Sequence, residues 1–209
     1  MSTDSADSAD SAALRSFFDA QASEIAHNYG RGRAVVAVDG AVGSTEFGRE
    51  LVAALVRAGH ASVFASIDDF VTPRTDLVGA RQTASEYYEQ RYDYATFRRV
   101  LIDPFRLGGS TGFVVAAFDE AASRSIEPVW RTAPPDAILV VAGPFLARRE
   151  MRGTFNYTIY LETPQRSRDV VLDEALDHYA GVAEPRFTAT AIVDTTNPDL
   201  PRRVFADSC

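Results

Sequence analysis

Lysine is absent from this chain: all 21 basic residues among its 209 are arginine. No site in the protein can use an ε-ammonium group, and the complete replacement reads as compositional bias more than as a functional device. Cysteine is nearly absent too, Cys209 being the single one. No intrachain disulfide can form, which fits a cytoplasmic setting. Positive charge is in deficit, with a formal net charge of −8. That balance argues against a nucleic-acid partner, because neutralising a phosphate backbone needs clustered basic groups. A nucleotide needs only a local pocket. No apolar run approaches the ~18 residues of a membrane span, and the N-terminus lacks the basic start and apolar core of a secretory signal. His27, His60 and His178 are scattered, without metal-ligand spacing.

What is present has globular composition, 46% apolar and 24% charged, and the length suits one domain. Residues 4–12 repeat Asp-Ser-Ala three times, so residues 1–12 read as a disordered acidic tail. Leu14, Phe17, Phe18, Ala22 and Ile25 then recur at helical spacing up to Gly30. Val35–Val38, Ser62–Ile67, Phe113–Phe118, Ala137–Val141, Tyr157–Leu161 and Thr190–Val193 read as strands. Helices are expected over Thr45–Ala58, Ser85–Arg91, Tyr94–Ile102, Ala147–Arg152 and Arg166–Tyr179. Between Thr72 and Thr83 lies a polar stretch containing proline. Apolar strands alternating with helices predict an α/β fold whose parallel sheet carries helices on both faces. In such a sheet the strand C-termini and helix N-termini share one edge. Gly40–Thr45, Asp68-Asp69 and Gly143 all follow strands and converge there.

The turn after the first core strand reads Asp39-Gly40-Ala41-Val42-Gly43-Ser44-Thr45. A phosphate-binding P-loop has the pattern G-x-x-x-x-G-K-[ST], with backbone amides cradling phosphate and lysine reaching the β and γ oxygens. Here both glycines and the hydroxyl residues are present, but the stretch is about two residues short of that pattern. An ordinary strand-to-helix turn with Thr45 as the N-cap uses the same residues. Two further groups carry potential chemistry. Asp68 or Asp69 could accept a proton from a substrate hydroxyl, or cap the next turn. Tyr87-Tyr88 and Tyr92-Asp93-Tyr94 could wall a base and sugar, or pack on the sheet.

From about Arg33 to Val204 the order of these segments resembles the uridine kinase-like branch of the P-loop kinases, particularly its short bacterial members. The carriers are Val38-Asp39-Gly40, Thr45-Glu46-Phe47, Ser66-Ile67-Asp68-Asp69-Phe70, Tyr87-Tyr88, Tyr92-Asp93-Tyr94, Ala116–Asp119, Ala137–Phe145, Tyr179, Glu184-Pro185 and Val193–Thr196. The resemblance implies one P-loop NTPase-like domain over residues 13–209, using ATP and magnesium to phosphorylate a nucleoside or similar small hydroxyl compound. Homo-oligomers are common among uridine kinases. Gly40, Gly43, Ser44 and Thr45 would hold phosphate, with Thr45 on the magnesium. Asp68 would be the catalytic acid beside the acceptor hydroxyl, and Asp69, Tyr88, Tyr92 and Asp93 would contact the nucleoside. Arg166 or Arg168 matches the start of the lid.

Three departures fall on that machinery. The family loop continues Gly-Lys between Ser44 and Thr45, and both residues are missing. The strand over Ala137–Val141 should be followed by an acid, and Ala142 stands there. The lid between Arg168-Asp169 and Tyr179 is short. Phosphoryl transfer rests on positioning and electrostatic stabilisation, so the resemblance implies activity weakened or lost. The alternative is a non-catalytic protein that keeps a nucleotide or nucleoside pocket. Arg49, one helical turn beyond Thr45, is the nearest candidate to replace the lysine, although its planar fork differs from a point charge.

Overall fold

The computed structural model describes residues 3–73 and 83–206, with side chains from residue 10 onward. Cys209 and most of the polar Thr72–Thr83 stretch lie outside the described residues. Three strands carry the continuous apolar runs: β1 (Ala34–Asp39), β2 (Ser62–Ser66) and β5 (Ile138–Gly143). Beside them lie β6 (Tyr157–Glu162), β7 (Ala191–Asp194) and β8 (Arg202–Val204). Together they form a six-stranded sheet in the order β2-β5-β1-β6-β7-β8. All neighbours are parallel except β7 and β8, which run antiparallel. The expected parallel α/β architecture is what forms.

The apolar runs are explained by two cores. Along β1, Val35 and Ala37 join one buried cluster with Leu139 and Val141 of β5. Ala34, Val36 and Val38 join the other with Ile138, Val140 and Ala142. Side chains alternate across a strand, so a strand covered on both faces must be apolar at every position. The second face is covered by α1 (Thr3–Tyr29), through Phe18, Ala22 and Ile25, and by α2 (Ser44–Arg57), through Phe47, Leu51, Ala54 and Leu55. α1 begins at Thr3 and so runs through the Asp-Ser-Ala repeat set apart above as a tail, whereas its described core contacts begin at Leu14.

The first face is covered by α3 (Ala84–Gln90), α4 (Tyr94–Phe97), α5 (Asp103–Leu107) and α6 (Val170–Ala183). A π turn over Arg98–Ile102 joins α4 to α5. Pro104 has no amide to return to Val100, and the Val100 carbonyl accepts instead from Val114 N–H at 2.8 Å. That bond helps settle the fate of Phe113–Phe118, which is not a sheet strand. Phe113 forms an isolated bridge with Arg131, and Ala117 N–H donates to the Asp69 carbonyl at 2.9 Å. Only Phe118–Asp119 (β3) is extended in a ladder, paired antiparallel with Arg124–Ser125 (β4). Two other boundaries differ: the helix expected from Arg166 begins at Val170, capped by Asp169, and Ala147–Arg152 contains only a short 3-10 turn at Arg149–Met151. A one-turn helix, α7 (Pro185–Thr188), leads into β7.

Candidate functional site

β1 lies between β5 and β6, so chain connections diverge at its C-terminal end, the place where open α/β sheets bind ligands. The Gly40–Gly43 turn emerges there. Gly40 N–H donates to the Gly143 carbonyl at 3.1 Å and fastens the turn to the end of β5. Gly43 caps α2 in the left-handed region, φ 74°, and its carbonyl accepts from Phe47 N–H at 2.9 Å. Thr45 therefore lies within the first helical turn and is not the N-cap, the place the ordinary-turn reading gave it. No side chain caps α2, and among the described residues the amides of Ala41, Val42 and Gly43 meet no protein acceptor. Ser44 is buried and Thr45 half-buried. Arg49 does not replace the missing lysine: its guanidinium lies over the Phe64 ring, 4.5 Å from the centroid.

Asp39, at the end of β1, is buried. Its carboxylate accepts from the Tyr179 hydroxyl and from the amides of Leu146 (3.3 Å) and Ala147 (3.1 Å). Burial pushes its pKa up to about 6, against the lowering effect of those donors. Tyr179 in turn accepts from Ala147 N–H at 2.9 Å. One carboxylate thus ties together β1, the segment after β5, and α6. In the sheet register Asp39 pairs with Gly143, and Ala142, one residue earlier on β5, pairs with Val38 and is fully buried.

A cavity of about 360 Å³ opens over Gly40, Ala41 and Val42 and is roofed by α6. Its walls carry the carboxylates of Asp39, Asp173 and Asp177 and one cation, Arg166. Arg166 is exposed and already donates to both oxygens of Asp177, at 3.0 and 3.1 Å. Arg168 is exposed and does not line the cavity. Among the described residues no group of three or more His, Cys, Asp or Glu could hold a metal ion. A magnesium–triphosphate does not fit this donor set, because its charge would face three carboxylates without an uncommitted cation.

The second half of the site is better furnished. Tyr92 donates to Asp68 Oδ1 at 2.7 Å, and Ser66 Oγ lies 3.2 Å from Asp68 Oδ2. Ser66 pairs with Ala142 across β2 and β5, so Asp68 sits on the edge that carries the turn. Burial and the charge of Asp68 raise the pKa of Asp69, which lines a separate recess with Arg49 and Arg131. Asp93 caps α4, its Oδ1 accepting from Thr96 N–H at 2.8 Å. Tyr88 is buried edge-on against Phe145, 5.4 Å between centroids. The structure therefore brings Asp68 and Tyr92 together, uses Asp93 as a cap, and places Tyr88 in the core.

Arg148 belongs with this group and sequence reading missed it. Its guanidinium lies over the rings of Tyr88 (4.7 Å) and Tyr94 (4.5 Å) and donates to the Tyr88 carbonyl at 3.0 Å. The only sequence signal was an arginine shortly after a buried strand in a tyrosine-rich chain. The joint role of Asp39 and Tyr179 was likewise visible only in space.

No protein-family model matches the chain, and no curated protein matches it in sequence. Solved structures do match. A possible uridine kinase from Bacillus stearothermophilus superposes with a TM-score of 0.73 at 23% identity, covering 86% of this chain and 98% of that one. A proposed fructose transport system kinase from Silicibacter sp. TM1040 gives a TM-score of 0.55 at 19% identity, covering 70% and 75%. At these identities the likeness concerns the fold: the chain has the P-loop NTPase-like α/β fold found in those kinases.

Proposed function

We propose that this chain is a uridine kinase-like protein that keeps the acceptor half of a phosphotransfer site and has lost the triphosphate half. It binds a nucleoside or a similar small hydroxyl compound beside Asp68 and Tyr92, and phosphorylates it at most in trace amounts. The observation that carries this reading is the contrast between the two halves. Asp68 keeps its hydrogen-bonding frame, whereas the chain has no lysine and a fully buried Ala142 where the magnesium-ordering acid would stand. Removing one preorganised electrostatic donor typically costs about 10²–10³ in rate, and two are gone. A slow kinase is the second reading, favoured by the left-handed Gly43 and the acceptor-free amides of the turn, which preserve part of an anion cradle. Among the described residues no helix is long and apolar enough to cross a membrane, and the net charge disfavours nucleic acid. A cytoplasmic small-molecule binder, self-associating as uridine kinases often do, is consistent with both.

The test is calorimetric titration with uridine, cytidine, adenosine and guanosine, beside an ADP-release assay with ATP and magnesium. Saturable binding of at least one nucleoside, lost in Asp68→Asn, together with ADP release near the no-enzyme rate, supports the proposal. Binding that is indifferent to Asp68→Asn contradicts it.

A further inference from the structure

β2 is the outermost strand of its sheet: β5 lies on one side, and among the described residues no strand lies on the other. The register shows which backbone groups this leaves open. Ile138 N–H donates to the Ala61 carbonyl at 2.9 Å, and Ser62, Phe64 and Ser66 pair with Ile138, Val140 and Ala142. In a parallel ladder of that register Ala61, Val63 and Ala65 bond to β5, while Ser62, Phe64 and Ser66 turn their N–H and C=O groups outward. Among the described residues the outward groups of Ser62 and Phe64 meet no protein partner. A recess of about 360 Å³ follows this edge along residues 62–65, walled by Arg49, Asp69, Val115 and Arg131. Its flanks belong to opposite faces of the sheet. Arg49, on α2, lies over the Phe64 ring, whereas Val63 and Val115 pack against the other core, where Arg131 is bridged to Phe113. Both arginines are exposed, and among the described residues neither guanidinium makes a hydrogen bond or an ion pair.

From this open edge and its two free cations we infer that β2 takes an extended acidic segment of a partner protein as an added strand. Main-chain bonds to Ser62 and Phe64 supply the pairing, as in other cases of strand addition. Side chains of successive strand residues point to opposite faces. Carboxylates on adjacent residues of the segment therefore reach Arg49 on one face and Arg131 on the other, whereas carboxylates two residues apart share a face and reach only one of them. A second copy of β2 is a poor occupant: its sequence, Ser-Val-Phe-Ala-Ser, carries no acid, and two such edges would bring four guanidinium groups together. Charged groups beside an edge discourage self-pairing in that way, and here their sign selects an acidic partner. The site does not depend on the acceptor-side reading above, because neither Asp68 nor Tyr92 lines the recess.

The test uses three blocked hexapeptides: Thr-Val-Glu-Glu-Val-Thr, its isomer Thr-Glu-Val-Glu-Val-Thr, and the neutral Thr-Val-Gln-Gln-Val-Thr. They are titrated into the full chain at low salt, where surface charge is least screened, with ¹⁵N spectra and amide exchange recorded in parallel. The expected result is saturable binding of the first peptide, about threefold tighter than its isomer and tighter still than the neutral one. The Ser62 and Phe64 amides should shift and exchange more slowly when the peptide is bound, a change that loose ionic attraction to the arginines would not produce. Arg49→Gln with Arg131→Gln alters two exposed side chains and should bring the first peptide to the level of the neutral one, with the melting temperature close to wild type. Ser62→Pro removes one outward N–H and leaves the ladder to β5 intact, so it should weaken all three peptides. Equal binding of the two acidic isomers, unprotected Ser62 and Phe64 amides, pairing of β2 with a second copy, or no binding of any peptide at millimolar concentration overturns the inference.

Discussion

The Tyr92 hydroxyl donates to Asp68 Oδ1 at 2.7 Å, joining the segment after β2 to the residue before the cap of α4. The neighbouring backbone reinforces the link, since Val71 and Tyr92 form an antiparallel bridge and Asp93 N–H donates to the Phe70 carbonyl at 2.8 Å. Asp68 is therefore aimed by two elements. A carboxylate held in one orientation is what recognition of a substrate hydroxyl requires.

Tyr92→Phe removes one donor to a carboxylate, an interaction worth about 1.5–3 kcal/mol. Nucleoside affinity should fall by at least about tenfold, the lower end of that range matching the ~1.4 kcal/mol of a factor of ten, and the urea midpoint should drop slightly. An unchanged affinity by calorimetry would place the binding site away from Asp68.

Asp39 makes a pH prediction. Its folded pKa of about 6 lies above the ordinary 3.8, so between those values the folded state holds more protons than the unfolded one. Its contribution to stability is therefore full below about pH 4 and is lost as pH rises through 6. The span is worth about 3 kcal/mol. Melting curves from pH 4 to 7.5 should show that Asp39→Asn removes this downward component, so that the variant's melting temperature relative to wild type rises with pH. A difference that stays constant with pH contradicts the assignment.

Gly143 stands at φ 131°, and a Cβ added there would lie 2.4 Å from Ile67 Cγ2. Ile67 is fully buried and immediately precedes Asp68. Gly143→Ala should cost at least about 2 kcal/mol, combining backbone strain with overpacking. Urea unfolding measures the cost, and nucleoside binding should weaken with it because Ile67 cannot move without Asp68.

Arg148→Lys keeps a charge and loses the planar stack over Tyr88 and Tyr94. A loss of about 1–2 kcal/mol is expected in urea unfolding. A neutral effect would mean that the two rings hold their places without it.

Much of the fold was legible because burial on two faces leaves an unmistakable trace. β1 and β5 are apolar at almost every position, and α2 and α1 repeat their core residues at helical spacing. β8 was not legible, since Arg202-Arg203-Val204 forms a short antiparallel edge strand whose arginines face outward contacts, Arg203 pairing with Glu24 at 2.9 Å. Phe113–Phe118 misled for the opposite reason. Phe113 and Val114 are buried, while the backbone bonds of Phe113, Val114 and Ala117 go to Arg131, Val100 and Asp69 and not to a strand of the six-stranded sheet. In the site, Asp68 and Tyr92 were singled out in the sequence one by one, and the hydrogen bond between them is seen only in the structure. Arg148 and the Asp39–Tyr179 contact were not singled out at all, because each joins residues far apart along the chain.

The central claim is that the Gly40–Thr45 turn no longer holds a triphosphate. Titration calorimetry with magnesium–ATP, on the wild type and on a variant carrying Gly-Lys inserted between Ser44 and Thr45, tests it directly. The account predicts no saturable heat for the wild type up to millimolar ATP and measurable binding for the insertion variant. Micromolar binding by the wild type, accompanied by ADP formation, would contradict it.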